Sequence, residues 1–202
     1  RYEGADLPPL KALDTSGHVL YVSTASKSLV PGLRLGWVVL PRPLVRRFVK
    51  FKKVADLATN GVAQWVLHRC LVEGHYQRHL ETVRREYARR LDTMTELLAR
   101  EEPRTGWRWH RPQGGMFLWL ELPEGVDAQR FALRAAARGV VCAPGSIYAV
   151  DGGNDRFLRL NFTAPDRESI VQGVPLMVKA LHECLLEDRM IRRSEVESLS
   201  AV

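Results

Sequence analysis

The chain has 202 residues, 46% of them hydrophobic and 26% charged, a globular composition long enough for one large domain or two small ones. That excludes a disordered or collagen-like chain, and apolar runs such as Trp37–Leu40 fall far short of the roughly 20 residues of a membrane helix. The net charge of +7 suits an anionic partner, yet the arginines between Arg78 and Arg100 interleave with Glu81, Glu86 and Glu96 at helix spacing. No nucleic-acid motif accompanies them, so neither nucleic acid nor membrane is expected as a partner.

Residues 1–10 carry no secretory pattern. Cys70, Cys142 and Cys184 are odd in number and scattered; they read as reduced thiols in a cytoplasmic setting.

In chain order, Asp14-Thr15-Ser16-Gly17 signals a turn. His18–Ser23 and Leu33–Leu40 read as short strands, and about ten residues are too few for a parallel crossover with its own helix, so the pair should run antiparallel. A helix follows from about Pro43 to Asp56, with Leu44, Phe48, Phe51, Val54 and Ala55 on one face. Thr59 is placed to cap the next, which carries Val62, Trp65, Val66 and Cys70 inward and ends at Gly74. Leu80, Val83, Tyr87, Leu91, Met94 and Leu98 then mark a long helix through Arg100.

After Pro103 the pattern shortens. Trp107–Arg111 and Met116–Leu122 read as strands, Asp127 as the cap of a helix ending before Gly139, and Val140–Ala143 and Phe157–Phe162 as further strands. Asp166 opens a last helix with Ile170, Val174, Met177, Val178, Leu181 and Leu185 inward. Pro175 should kink it or delay its start, and the charged tail from Glu187 should fray. The sum is an α/β chain: strands and helices, a long linking helix, and a two-layer α/β carboxyl-terminal part.

The segment Ser23-Thr24-Ala25-Ser26-Lys27-Ser28-Leu29-Val30-Pro31-Gly32-Leu33-Arg34-Leu35-Gly36 is the most informative. Hydroxyls and a lysine follow the carboxyl end of a strand, where open α/β sheets place ligands. Hydroxyls and arginine suit a phosphate. The lysine suits a phosphate contact, a nucleophilic amine or merely an exposed polar turn.

Ser26-Lys27 with Pro31-Gly32-Leu33-Arg34-Leu35-Gly36-Trp37 resembles the lysine motif of class I/II aminotransferases, fold type I enzymes that use pyridoxal 5′-phosphate. The likeness continues through Arg111-Pro112-Gln113-Gly114-Gly115-Met116-Phe117-Leu118-Trp119, Ala143-Pro144-Gly145-Ser146 and Phe157-Leu158-Arg159-Leu160-Asn161-Phe162. The nearest look is to the 2-aminoadipate and kynurenine aminotransferase branch. The resemblance implies that residues 1–74 are the remainder of the cofactor-binding large domain, with the last strands of its sheet and helices. It makes 75–102 an interdomain helix and 103–202 the small domain.

It further implies that Lys27 forms the internal aldimine with the cofactor and, once released, moves the proton at the substrate Cα. Thr24 and Ser26 would hydrogen-bond the cofactor phosphate and Arg34 would pair with it, while Arg159 would grip the substrate α-carboxylate as a fork. Without the motif, Arg159 reads as a strand arginine paired with Asp155 or Asp166. Ala25 stands where an aromatic is usual, which should weaken local packing. An amino acid and a 2-oxo acid are the implied partners, and homodimerisation is implied for the full-length parent.

Other candidates carry less. His75 and His79 have the spacing of a zinc pair but lack the intervening glutamate, so no metal is expected. Cys142 lies in an apolar stretch and reads as core, Gly114-Gly115 and Gly152-Gly153 as turns, and Trp107, Trp109 and Trp119 as packing residues.

The family's acidic partner for the pyridine nitrogen, and the tyrosine at the ring hydroxyl, lie upstream of the stretch that matches Arg1-Tyr2-Glu3-Gly4. Asp6 and Asp14 stand in the wrong context to replace that acid. The expectation is therefore that the amino-terminal half is absent and that these residues alone are inactive or nearly so. The alternative is a pyridoxal-phosphate- or effector-binding domain of a MocR-type transcription regulator without turnover.

Overall fold

Short-range pairing and capping build the first part of the chain. The computed structural model describes the backbone of residues 1–199 and the side chains of 1–188 and Met190. It divides into two units, residues 4–85 and residues 1–3 together with 86 onward.

In the unit of residues 4–85, helix α1 (Leu10–Leu13) ends at Asp14. The Asp14 carboxylate accepts from Lys11 Nζ at 2.9 Å and from the backbone N–H groups of Gly17, Val19 and His18 at 2.8, 3.0 and 3.2 Å. The Lys11 bond first, and then these backbone bonds, hold its carboxyl below the usual range. Strand β1 (Tyr21–Thr24) pairs antiparallel with β2 (Gly36–Val39), Tyr21 opposite Val39 and Thr24 opposite Gly36. The expected start of β2 at Leu33 is taken instead by a 3₁₀ turn, Pro31–Leu33, because Pro31 fixes a turn-compatible φ and Arg34 then adopts φ 51°.

Helix α2 (Arg42–Asp56) has its expected span but buries no residue within this unit: Phe51 and Val54 are 74% and 88% exposed. Helix α3 (Gly61–Val72) is capped by Asn60, whose side chain accepts from Ala63 N–H at 3.1 Å, and not by Thr59. Thr59 lies one residue too early; its carbonyl accepts from the Gln64 amide instead. The inward residue of α3 is Ala63, not Val62 or Trp65, which are exposed, because the unit's small core is the cluster Ala25, Leu35 and Ala63. Gly74, at φ 71°, ends α3 as anticipated. Helix α4 (His75–Thr105) follows, and the division between units falls within it.

In the second unit, α4 buries Leu91, Met94 and Leu98 as their spacing predicts and runs past Pro103 to Thr105. One proline near a helix end forfeits a single backbone bond, and Gly106 N–H still reaches the Glu102 carbonyl at 2.9 Å. The remaining elements are β3 (Arg108–Trp109), β4 (Phe117–Glu121), α5 (Ala128–Ala136), β5 (Ala143–Pro144), β6 (Phe157–Asn161) and α6 (Arg167–Leu199). Pairing in the order β3-β4-β6-β5 is antiparallel throughout. Strands β3 and β5 are shorter than anticipated. Leu118, Leu120, Leu158 and Leu160 point to one face and join Phe131, Leu91, Leu98 and Leu181 in one buried cluster, each contributing roughly 1.5–3 kcal/mol of apolar burial.

Asp127 caps α5 by accepting from Arg130 N–H at 2.8 Å, and Asp166 accepts from Ser169 N–H at 2.8 Å at the start of α6. Pro175 does not delay that start, and α6 continues beyond Glu187 where fraying was expected. Pairs Arg130–Asp188, Arg134–Glu187 and Arg138–Glu183 tie its charged stretch to α5 and its flank. By length and hydropathy alone Arg167–Asp188 could cross a membrane. Its Ile170, Val174, Met177, Leu181 and Cys184 are instead spent on this core.

Candidate functional site

The lysine loop is set by one small buried residue. Ala25 is 1% exposed, and its N–H donates to the Leu35 carbonyl at 3.0 Å, while its own carbonyl accepts from Leu29 N–H at 2.9 Å. The alanine expected to weaken packing is thus the centre of the cluster with Leu35 and Ala63. The turn that follows puts Ser26 and Lys27 beyond the end of β1.

Thr24 Oγ1 donates to the Leu35 carbonyl at 2.8 Å, accepts from Ser26 N–H at 3.1 Å, and lies 3.0 Å from Ser26 Oγ. Two hydroxyls are therefore brought together beside Lys27, which is exposed. Arg34 stands at the far side of the loop, its Nη1 3.5 Å from the Pro31 carbonyl. It has no carboxylate partner among the described residues. Arg34 also holds a left-handed backbone, φ 51° and ψ 39°, which costs a non-glycine residue about 1–2 kcal/mol. Gly36 is required where β1 and β2 meet, since a Cβ there would lie 2.9 Å from the Ser23 carbonyl oxygen. Two hydroxyls, a guanidinium and an amine within one loop fit a phosphate-bearing aldehyde.

Arg159 belongs to the other unit, on the sheet face opposite the leucines. Its cross-strand neighbours are Trp119 on β4 and Ala143 on β5. The guanidinium carbon lies 4.0 Å from the centroid of the Phe117 ring and 4.2 Å from that of Tyr148. Each contact is worth about 0.5–2 kcal/mol, more as water is excluded. Trp119 stacks on Phe157 at 5.9 Å and meets Tyr148 edge-on at 6.1 Å, so it is half-open scaffolding of this face, unlike the fully buried Trp107.

Arg159 Nε is buried without a hydrogen-bond partner. Among the described residues the guanidinium has no carboxylate partner; neither Asp155 nor Asp166 takes it. Leaving a buried charged donor unsatisfied costs about 1–3 kcal/mol or more, and an anion at this guanidinium would relieve that cost. The sequence singles out Arg159 but not the rings beside it: Phe117 follows from the alternation of β4, while Tyr148, in the 3₁₀ turn Gly145–Tyr148, carries no signal.

Residues 3–174 match the family described as aminotransferase class I and II. The chain belongs to that family. It is 37% identical, with a TM-score of 0.84, to the α-aminoadipate aminotransferase LysN of Thermus thermophilus, solved with N-(5′-phosphopyridoxyl)-L-leucine, covering 92% of this chain and 48% of that one. Against the kynurenine aminotransferase of Pyrococcus horikoshii, solved in complex with PMP, it is 36% identical at a TM-score of 0.85, covering 91% and 45%. It is also 33% identical, over 86% of its length and 36% of the relative's, to an uncharacterised HTH-type transcriptional regulator of Bacillus subtilis, YdfD. The chain spans under half the length of the first curated aminotransferases it matches, 43% and 44%. The α/β architecture expected for part of a fold type I aminotransferase is the one these structures share.

Proposed function

We propose that the protein to which this chain belongs transfers the amino group of an α-amino acid to a 2-oxo acid, using pyridoxal 5′-phosphate held at Lys27. The observation that carries the reading is the Arg159 guanidinium, its Nε buried between two rings with no partner. A bidentate α-carboxylate satisfies that fork, a task lysine performs poorly. The cofactor, when bound, supplies an electron sink for charge developing at the substrate Cα.

The chain's own residues supply the rest. The Ser26 hydroxyl and the Arg34 guanidinium would hold the phosphate, and the Thr24 hydroxyl would join them by turning its one hydrogen from the Leu35 carbonyl. Lys27 Nζ would secure the aldehyde end and, when free, would take the proton from the substrate Cα and deliver it to the cofactor carbon that had carried the aldehyde. No aspartate of this chain is read as the partner of the pyridine nitrogen; Asp14 is spent on its own turn. The same reading makes the parent protein a cytoplasmic homodimer, its free thiols suited to a reducing compartment.

Treatment with pyridoxal 5′-phosphate and borohydride, followed by peptide mapping, tests the assignment. Label on Lys27, lost in Lys27→Ala, is the expected result; label confined to other lysines overturns it. A second reading, favoured by the likeness to YdfD, is a regulator domain that holds the cofactor without turnover. Labelled Lys27 in a parent protein that bears a winged-helix segment and releases no glutamate from 2-oxoglutarate would select it.

A further inference from the structure

We propose that Phe117 and Tyr148 are positioning residues that clamp the Arg159 guanidinium, leaving its in-plane N–H edge to a planar carboxylate. The inference deepens the functional reading and rests on Arg159 as the substrate cation.

Three observations converge. Strands β4 and β5 are the two neighbours of β6, and one ring comes from each side: Phe117 from β4, Tyr148 from the turn that follows β5. Their centroids lie 4.0 and 4.2 Å from the guanidinium carbon, so π surface, which accepts no in-plane hydrogen bond, lies against the cation from both neighbours of β6. Several other arginines of this unit are paired with acids: Arg90 with Glu86, Arg111 with Glu3 and Asp92, Arg130 with Asp188, Arg138 with Glu183 and Arg156 with Glu121. Arg156 lies three residues before Arg159, and yet Arg159 takes no acid among the described residues. Aromatic rings hold a guanidinium in place without consuming its donors, whereas a carboxylate would consume them. The fork is thereby oriented before the ligand arrives, which lowers the ordering cost of binding. Trp119, edge-on to Tyr148 and stacked on Phe157, braces the clamp.

The full 202-residue chain is titrated calorimetrically with 2-oxoglutarate as the carboxylate probe, and with its diamide as a control. Phe117→Leu and Tyr148→Leu keep bulk and remove the ring; Phe117→Tyr and Tyr148→Phe restore it. Each leucine variant is expected to weaken 2-oxoglutarate about tenfold, with the aromatic variants within about twofold of the parent. Melting transitions should fall by only about 1–8 °C, the loss of one such contact, and the diamide should not bind. The Arg159 Nε–H proton resonance reads the clamp without any ligand. It should be shifted upfield by the rings and return toward the free value in each leucine variant.

Leucine variants that bind as tightly as the parent while Arg159→Gln abolishes binding overturn the clamp and leave the functional reading standing. Arg159→Gln that binds normally, or no binding by the parent chain at millimolar 2-oxoglutarate, overturns both. An unshifted Nε–H resonance in the parent chain overturns the clamp alone.

Discussion

Trp107 and Leu98 are joined across the end of α4: the indole Nε1 donates to the Leu98 carbonyl at 3.0 Å, and the ring is fully buried. The chain leaving α4 turns back so that β3 pairs with β4, and this bond spans the turn. Trp107→Phe, which keeps most of the bulk and loses the bond, is expected to destabilise the fold by about 1–2 kcal/mol. Trp107→Ala should cost about 3–5 kcal/mol, both read by urea unfolding.

Gly145 permits the turn that carries Tyr148. A Cβ there would lie 2.8 Å from both the Asn154 carbonyl oxygen and Phe157 Cβ. Gly145→Ala should destabilise by about 1–3 kcal/mol through overpacking. It should also move the Tyr148 ring off Arg159, visible as a loss of the Arg159 Nε–H ring shift.

Arg34 sets stability against binding. Arg34→Gly relieves the left-handed backbone and is expected to raise stability by up to about 1 kcal/mol, the glycine's looser unfolded state taking back part of the gain. The same variant removes the phosphate's cation and should weaken pyridoxal 5′-phosphate. Denaturant midpoints and spectroscopic titration should therefore shift in opposite senses; a fall in both would remove Arg34 from the phosphate role.

Cys142 is governed by burial, which pushes its thiol from 9.0 up to about 11. The folded chain keeps the proton where the unfolded chain has lost it, so its contribution to stability is complete below pH 9 and is lost as pH rises from 9 to about 11. At pH 8 its thiolate fraction is about a hundredfold below that of an unshifted thiol, and iodoacetamide alkylation should be slower by the same factor. Cys142→Ala should flatten the decline in stability above pH 9.

Periodicity served best where local and tertiary demands agree. Leu91, Met94 and Leu98 are buried at their predicted spacing, and the alternation of β4 and β6 turned leucines inward and Arg159 outward. It served worst on α2 and α3, where Phe51, Val54, Val62 and Trp65 form apolar faces that no part of their own unit covers. Burial depends on neighbours that local pattern cannot name. Capping erred by one residue, from Thr59 to Asn60, since both chemistries suit the role and only the first helical hydrogen bond separates them. Pro175 lies within α6 without delaying its start, and Pro103 within α4, because packing along a long helix outweighs one lost bond.

By itself the sequence determined the family, through residue types held in order from Ser26-Lys27 to Arg159, and the antiparallel β1–β2 pair, since a short connection leaves no other geometry. Only the tertiary structure decided that Ala25 anchors the lysine loop and that Arg159 has rings instead of an acid beside it. Those facts depend on which side chains meet from Phe117, Tyr148 and Arg159, far apart along the chain, and such meetings are fixed by sheet register and turn geometry rather than by local composition.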